Sequence, residues 1–222
     1  MADTWTFAFV DLAGFTALTD AHGDEQAIVT IKAFQEHVRV CLGPGDLLVK
    51  TIGDAVMLAF AQPSDAMQAL ERILARDATT STGMLLPRAG AHHGAAIRDN
   101  DDFYGHAVNV AARVAAQAAG GQLLVTDAVA MAARDRGHVI THVGSVSLRN
   151  IAEPIDLYEV SLDREETEFA IDPVCLMRVP TSGDDAVGLS WKGRPLWFCG
   201  LPCVARFASA PSDYEARLQA KR

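Results

Sequence analysis

The sequence predicts a sandwich of helices packed on paired strands, of the α/β or α+β kind and not a helical bundle, followed by a small cysteine-bearing unit. Three observations predict it. Short apolar runs of strand length alternate with amphipathic stretches of helical spacing over roughly the first 160 residues. Gly and Pro clusters such as Gly43-Pro44-Gly45 and Gly120-Gly121 punctuate those stretches. Beyond a charged run at Asp163-Arg-Glu-Glu-Thr-Glu168 the texture changes: prolines at 173, 180 and 195, tryptophans at 191 and 197, and cysteines at 175, 199 and 203.

In chain order, residues 4–12 read as a buried strand. Residues 24–42 read as a helix with Ala27, Ile28, Ile31, Phe34, Val38 and Leu42 on its apolar face, stopped by Gly43-Pro44-Gly45. A hairpin runs from Leu47 to Phe60 with Gly53-Asp54 at its tip. Ser64–Arg76 is a helix with Met67, Leu70, Ile73 and Leu74 inward, and Arg88–Ile97 is a strand. A polar loop at Asp99-Asn-Asp-Asp precedes an alanine-rich helix, His106–Ala118, ended by Gly120-Gly121. Gln122–Thr126 is a strand, Asp127–Arg134 a short helix, and the remainder to Val160 two more strands. The expected domains are 1–162 and 170–222, joined by a linker at 163–169, and the second is too small to be held by apolar burial alone.

The bulk numbers exclude some partners. With 19 Lys and Arg against 28 Asp and Glu, the net charge of −9 argues against a broad footprint on nucleic acid, and a polyanionic substrate needs local compensation. The first residues carry no basic start followed by an apolar segment and small-residue cleavage site, and no apolar run approaches the roughly 18 residues of a membrane span. The expectation is a soluble, cytoplasmic protein without a membrane partner. Cys41 stands alone in a helical pattern, while three cysteines cluster late, which in a reducing compartment points to metal rather than disulfides.

Two aspartates carry the most chemistry. Asp11 closes the apolar run Phe7-Ala-Phe-Val-Asp-Leu12, and Asp54 sits in the turn of the Leu47–Phe60 hairpin. If the two strands are neighbours, the carboxylates converge on a hard oxygen site suited to Mg²⁺ or Mn²⁺ and to phosphoryl chemistry. Each is also an ordinary turn aspartate. Lys50 stands at the other mouth of the same hairpin. Asn109 and Arg113, four residues apart, share a face near the start of a helix whose free N–H groups favour phosphate. Asp102, just before that helix, can accept hydrogen bonds from an exocyclic amine. Singly, each has a plain structural role: stem packing for Lys50, helix-surface polarity for Asn109, a salt bridge for Arg113, a turn for Asp102. His22 and the His92-His93 pair are read as structural.

Taken together, the segments Phe9-Val-Asp-Leu-Ala-Gly-Phe-Thr16, Lys50-Thr-Ile-Gly-Asp54 and Asp102-Phe-Tyr-Gly-His-Ala-Val-Asn-Val-Ala-Ala-Arg113 resemble, in order and spacing, the class III nucleotide cyclase catalytic domain. The resemblance covers about residues 4–160, including Leu148-Arg-Asn-Ile-Ala-Glu-Pro-Ile-Asp-Leu-Tyr158. It implies a ferredoxin-like, palm-type α+β sandwich with a mainly antiparallel sheet. It further implies that Asp11 and Asp54, with the Leu12 carbonyl as a backbone ligand, hold two Mg²⁺ or Mn²⁺ ions per active site. Lys50 and Asp102 match the pair that reads the purine in its adenine-selecting combination. Asn109 orients the ribose and Arg113 meets charge on the α-phosphate. Arg149 stands where the family usually has a triphosphate-binding lysine, which keeps the charge but changes its geometry. The implied activity is conversion of ATP to cyclic AMP and pyrophosphate by a homodimer whose sites draw residues from both subunits.

Asp172-Pro-Val-Cys-Leu-Met177, followed by Trp197-Phe-Cys-Gly-Leu-Pro-Cys203, resembles a small YHS/TRASH-type metal-associated module. Cys175, Cys199 and Cys203 are then ligands for Zn²⁺ or Cu⁺, with the fourth position open and Met177 a soft candidate whose commoner role is packing. The other readings are a nucleotide-binding regulatory domain that has lost turnover, and a metal sensor that the larger domain dimerises.

Overall fold

The computed structural model describes residues 3–75, 84–162 and 169–219, so 163–168 of the expected linker lies outside the described residues. Two units divide the chain. The first comprises residues 3–12, 31–75 and 87–162; the second, residues 13–30, 84–86 and 169–219.

The first unit is ordered around its opening strand, β1 (Asp3–Leu12), in which Phe7, Ala8 and Val10 are wholly buried. A strand this apolar on both faces belongs inside a sheet. β1 is flanked by β3 (Ala55–Phe60) and β4 (Pro87–Asp99), both antiparallel to it. With β2 (Leu47–Ile52), β6 (Leu123–Val125), β7 (Val139–Val146) and β8 (Ile155–Ser161), the order is β2-β3-β1-β4-β6-β8-β7. Only β4 and β6 run parallel; every other pairing in this sheet is antiparallel. β5 (Asp102–Tyr104) pairs with the end of β4, so the stretch read as a polar loop turns back as a hairpin.

Three helices cover the sheet: α2 (Pro63–Leu74), α3 (His106–Ala115) and α4 (Asp127–Asp135). In α2 the expected Met67, Leu70, Ile73 and Leu74 are buried. α3 is three residues shorter than expected. Its buried stripe is Ala107, Val110, Ala111, Val114 and Ala115, mostly small side chains, and the sheet meets it with Gly90. A Cβ at Gly90 would lie 2.0 Å from the Ala115 backbone nitrogen, so only glycine lets this helix sit down on β4. Phe7, Met57, Ala59, Phe103, Ala107 and Ala111 form the core between them, with Phe103 edge-on to Phe7 at 5.3 Å and to Trp5 at 5.0 Å.

Helix α1 (Phe15–Cys41) is two helical segments meeting at Gly23 (φ 82°, ψ 174°), whose backbone is not helical; the segment 24–41 matches the expected helix, and the segment 15–22 before it was not expected. Phe34 and Val38 are buried as expected, but Ile28 is 52% exposed.

In the second unit, β9 (Phe169–Ile171) pairs with β10 (Arg178–Pro180) and β11 (Val187–Trp191) with β12 (Arg194–Phe198), followed by α5 (Leu201–Ser209) and α6 (Glu215–Gln219). Its core is small: Phe198 and Phe207 are wholly buried with ring centroids 5.5 Å apart, and Trp191 meets Phe207 edge-on at 5.5 Å. At about 1.5–3 kcal/mol per fully buried large side chain, so few residues leave a unit of this size in need of a further tie. The entry of α1 belongs here. Gly14 lies so close to Leu176 that a Cβ would sit 2.7 Å from its Cδ1, and Leu85 bridges Met177 through the backbone.

Candidate active site and cysteine cluster

The register of β1 sets the first group of residues. Asp11 pairs with Arg88 across the β1–β4 ladder, so the two side chains emerge on one face. Arg88 donates from Nε (3.0 Å) and Nη2 (2.5 Å) to Asp11 Oδ2, with Arg88 33% and Asp11 22% exposed. On the other side of β1, Val10 pairs with Val56 of β3, which brings the β2–β3 turn and Asp54 alongside Asp11. The two carboxyl groups are within hydrogen-bonding reach of each other. Burial first, then the hydrogen bond to Asp11 and its negative charge, push Asp54 up to about 6 from 3.8, while Arg88 works the other way. Two carboxylates held this close, with a single guanidinium between them and full ionisation, form a hard, oxygen-only donor set that a divalent cation satisfies. Leu12 ends β1 opposite Pro87 of β4. The donors present fit Mg²⁺ or Mn²⁺.

The second group is Lys50 and Asp102. Fifty-two residues apart in sequence, they meet because β2 and β5 fold over the same core, and Lys50 Nζ donates to Asp102 Oδ1 (2.8 Å) and Oδ2 (2.6 Å). Lys50 holds the Asp102 carboxyl below its ordinary range, helped by the Phe103 amide. Lys50 Nζ also lies 6.0 Å from the Tyr104 ring centroid, so a flat aromatic face adjoins the pair.

The third group is on α3. Because its buried stripe faces the sheet, Asn109 and Arg113, about half a helical turn round, are exposed on the opposite side. Arg113 Nε donates to the Arg149 carbonyl at 3.3 Å, which joins the α3 surface to the loop between β7 and β8. Among the described residues neither Arg113 nor Arg149 makes an ion pair. Both are exposed, in a chain whose net charge is −9.

The family model for the adenylate and guanylate cyclase catalytic domain matches residues 1–161. The chain belongs to that family. It is 33% identical over 159 residues to a pH-sensitive adenylate cyclase of Mycobacterium tuberculosis, covering 70% of this chain and 40% of the relative. A receptor-type adenylate cyclase of Trypanosoma brucei is 28% identical over 209 residues, covering 72% of this chain and 17% of its own length. The chain thus spans well under two thirds of these relatives. Among solved structures, adenylate cyclases from Trypanosoma brucei in their monomeric state match with TM-score 0.63 at 28% identity, covering 72% of this chain and 88% of theirs. The adenylyl cyclase CyaB from P. aeruginosa shares the fold, with TM-score 0.62 at 20% identity over 76% of this chain and 98% of its own.

In the second unit, Cys175, Cys199 and Cys203 come together with His22: Cys175 Sγ to Cys199 Sγ 3.7 Å, Cys199 Sγ to Cys203 Sγ 3.4 Å, His22 Nε2 to Cys199 Sγ 3.5 Å and to Cys203 Sγ 3.7 Å. All four donor atoms lie within 4.8 Å of one another. Cys175 and Cys203 are buried, Cys199 and His22 half-buried. The hydrogen bonds from Cys175 and Cys199 push Cys203 down to about 5, whereas Cys175 is raised, first by its hydrogen bond to Cys199. Asp172 aligns the loops that carry them. Wholly buried, it accepts from the amides of Val174 (2.7 Å) and Cys175 (3.4 Å) with Oδ1 and from that of Cys199 (2.8 Å) with Oδ2.

Sequence reasoning missed three participants. Arg88 is found only through the cross-strand register. Asp172 opens the Asp-Pro-Val-Cys motif, where Asp-Pro is a turn signal and the one local hint of its role. His22 was set aside as structural, and nothing in its local sequence joins it to cysteines more than 150 residues away.

Proposed function

We propose that the chain is an adenylate cyclase that closes ATP to 3′,5′-cyclic AMP with release of pyrophosphate, acting as a homodimer. What supports the reading is that one chain carries two complementary sets of groups, the paired carboxyls Asp11 and Asp54, and the set Lys50–Asp102 with the exposed Asn109 and Arg113. A second copy related by two-fold symmetry brings the carboxylates of each subunit to the nucleotide-reading face of the other, giving two equivalent sites. When bound, the two Mg²⁺ or Mn²⁺ ions supply acidity to the ribose 3′-hydroxyl and neutralise the triphosphate.

Asp11, Asp54 and the Leu12 carbonyl hold those ions. Asp102 accepts from the adenine amine and Lys50 donates to a ring nitrogen. Asn109 fixes the ribose so that its 3′-oxygen stands in line with the α-phosphorus. As that oxygen forms its bond to phosphorus, the bond to the β-phosphate oxygen breaks and the hydroxyl proton leaves to solvent. Arg113 stabilises the negative charge developing on the α-phosphate, worth on the order of 10³-fold or more for a guanidinium in such a position. Arg149, carried beside Arg113, and Arg88, no longer needed by Asp11 once that carboxylate is committed to metal, serve the β- and γ-phosphates. In the second unit the cysteines hold a soft or borderline ion, Zn²⁺ or Cu⁺, and make this unit the metal-responsive part of the protein.

Purified protein incubated with Mn²⁺ and either ATP or GTP, followed by chromatography of the nucleotide and a pyrophosphate assay, tests the reading. Cyclic AMP and pyrophosphate in equal amounts, with ATP strongly preferred, is the expected result. Nucleotide binding without either product would instead favour a regulatory domain that has lost turnover.

A further inference from the structure

The three thiols leave one corner of a tetrahedron to be filled, and His22 is the side chain that reaches it. We propose that His22 is the fourth ligand of a Cys₃His zinc site, and that the ion staples the first segment of α1 to the cysteine-bearing loops. The proposal rests on reading the three cysteines as a metal site, and adds the ligand and its consequence.

The distances are those that tetrahedral zinc demands. With Zn–S of about 2.3 Å and Zn–N of about 2.0–2.1 Å, tetrahedral angles put sulfurs about 3.8 Å apart and sulfur about 3.6 Å from nitrogen. The observed separations of 3.7 and 3.4 Å between sulfurs, and 3.5 and 3.7 Å from His22 Nε2, lie within a few tenths of an ångström of those values. Three thiolates and one imidazole are a borderline-soft set of structural zinc type, closed on all four sides. The second shell is present too, since Asp172 fixes the backbone of Cys175 and Cys199. Cys199 also lines a cleft of about 720 Å³ that Asp184 and Asp185 share.

The ligand's position in the chain gives the site its consequence. His22 sits one residue before Gly23, the point at which α1 leaves helical geometry. Metal binding would therefore fix the segment Phe15–His22 up to the kink at Gly23. That segment is the one the chain enters directly after Asp11 and Leu12. The site thus takes its fourth ligand from the first segment of α1, outside the cysteine motif itself.

The test uses the full-length chain stripped of metal and titrated with Zn²⁺ or Co²⁺, with hydrogen exchange followed over Phe15–His22. Wild type should bind one ion per chain, give the intense d–d absorption of tetrahedral Co²⁺, and show slowed exchange in that segment. Outer-shell partners alone are worth about 10–100-fold in metal affinity, so His22→Ala should weaken binding by more than about 100-fold and uncouple the segment from metal. His22→Cys should bind well with stronger thiolate-to-cobalt charge transfer, and it keeps the test valid if the alanine variant does not fold. If His22→Ala binds as wild type with an unchanged cobalt spectrum while Cys199→Ser does not bind, the role of His22 is refuted and the thiol site stands. If Cys199→Ser also binds as wild type, the thiol site is refuted with it.

Discussion

Removing Lys50 should separate what the Lys50–Asp102 pair does for the fold from what it does for the nucleotide. The pair is short, with 2.8 and 2.6 Å contacts, but Lys50 remains 40% and Asp102 28% exposed. An ion pair so open to water contributes about 0.2–1 kcal/mol to stability. For a protein of this size that is a change in Tm of at most about 4 °C. Against a bound purine the same groups act as charged hydrogen-bonding partners worth about 1.5–3 kcal/mol each. Losing one should lower kcat/KM for ATP by about 10- to 150-fold. Steady-state kinetics of Lys50→Ala and Asp102→Ala with ATP and GTP, alongside thermal melts, measure both quantities. The expected pattern is a near-native Tm, a large loss for ATP and a reduced ATP-to-GTP ratio. A loss of less than threefold for ATP in both variants, or equal losses for the two nucleotides, would refute the assignment of this pair to the base.

Two further predictions follow from packing and charge. Gly90→Ala places a methyl group 2.0 Å from the Ala115 nitrogen, so α3 must shift; calorimetry should show a loss of about 1–3 kcal/mol, and cyclase activity should fall further because Asn109 and Arg113 ride on that helix. Glu71 accepts from Arg136 at 2.6 and 2.7 Å and from His138 at 2.6 Å, and its carboxyl is lowered chiefly by Arg136. The stabilisation is therefore present above the ordinary pKa of 4.5 and disappears as pH falls through the lowered value. Denaturant melts of wild type and Glu71→Gln should differ by on the order of 1 kcal/mol at pH 7 and converge in acid; a gap that persists in acid would assign it to packing.

The elements that were legible in the sequence are those whose signals are local. The apolar run around Phe7 and Val10 marks β1, Gly53-Asp54 marks a hairpin tip, and the spacing of Met67, Leu70, Ile73 and Leu74 marks α2. What escaped was set by long-range contact. β5 (Asp102–Tyr104) is too short to carry a periodic signal, its first residue falls in the stretch read as polar loop, and it is a strand because β4 extends beside it. The start of α1 was hidden by Gly23, which looks like a terminator when taken alone but here joins two helical segments. Ile28, at correct helical spacing, is nonetheless exposed, because periodicity identifies a face without saying what covers it.

The candidate site divides the same way. Asp11, Asp54, Lys50, Asp102, Asn109 and Arg113 stood out because three separated motifs kept family order and spacing. Arg88 and His22 did not, because the first depends on strand register and the second on a fold that brings an α1 residue to the cysteine loops.

Mixing two inactive variants tests the shared-site account most directly. Asp54→Ala removes a metal carboxylate and Arg113→Ala removes the phosphate guanidinium, so each homodimer should form no measurable cyclic AMP. In an equal mixture, one of the two sites in each heterodimer retains both intact halves, and statistical assortment should return about a quarter of wild-type activity. Recovery near that level is the result expected; no recovery in a mixture shown to contain heterodimers would contradict the account.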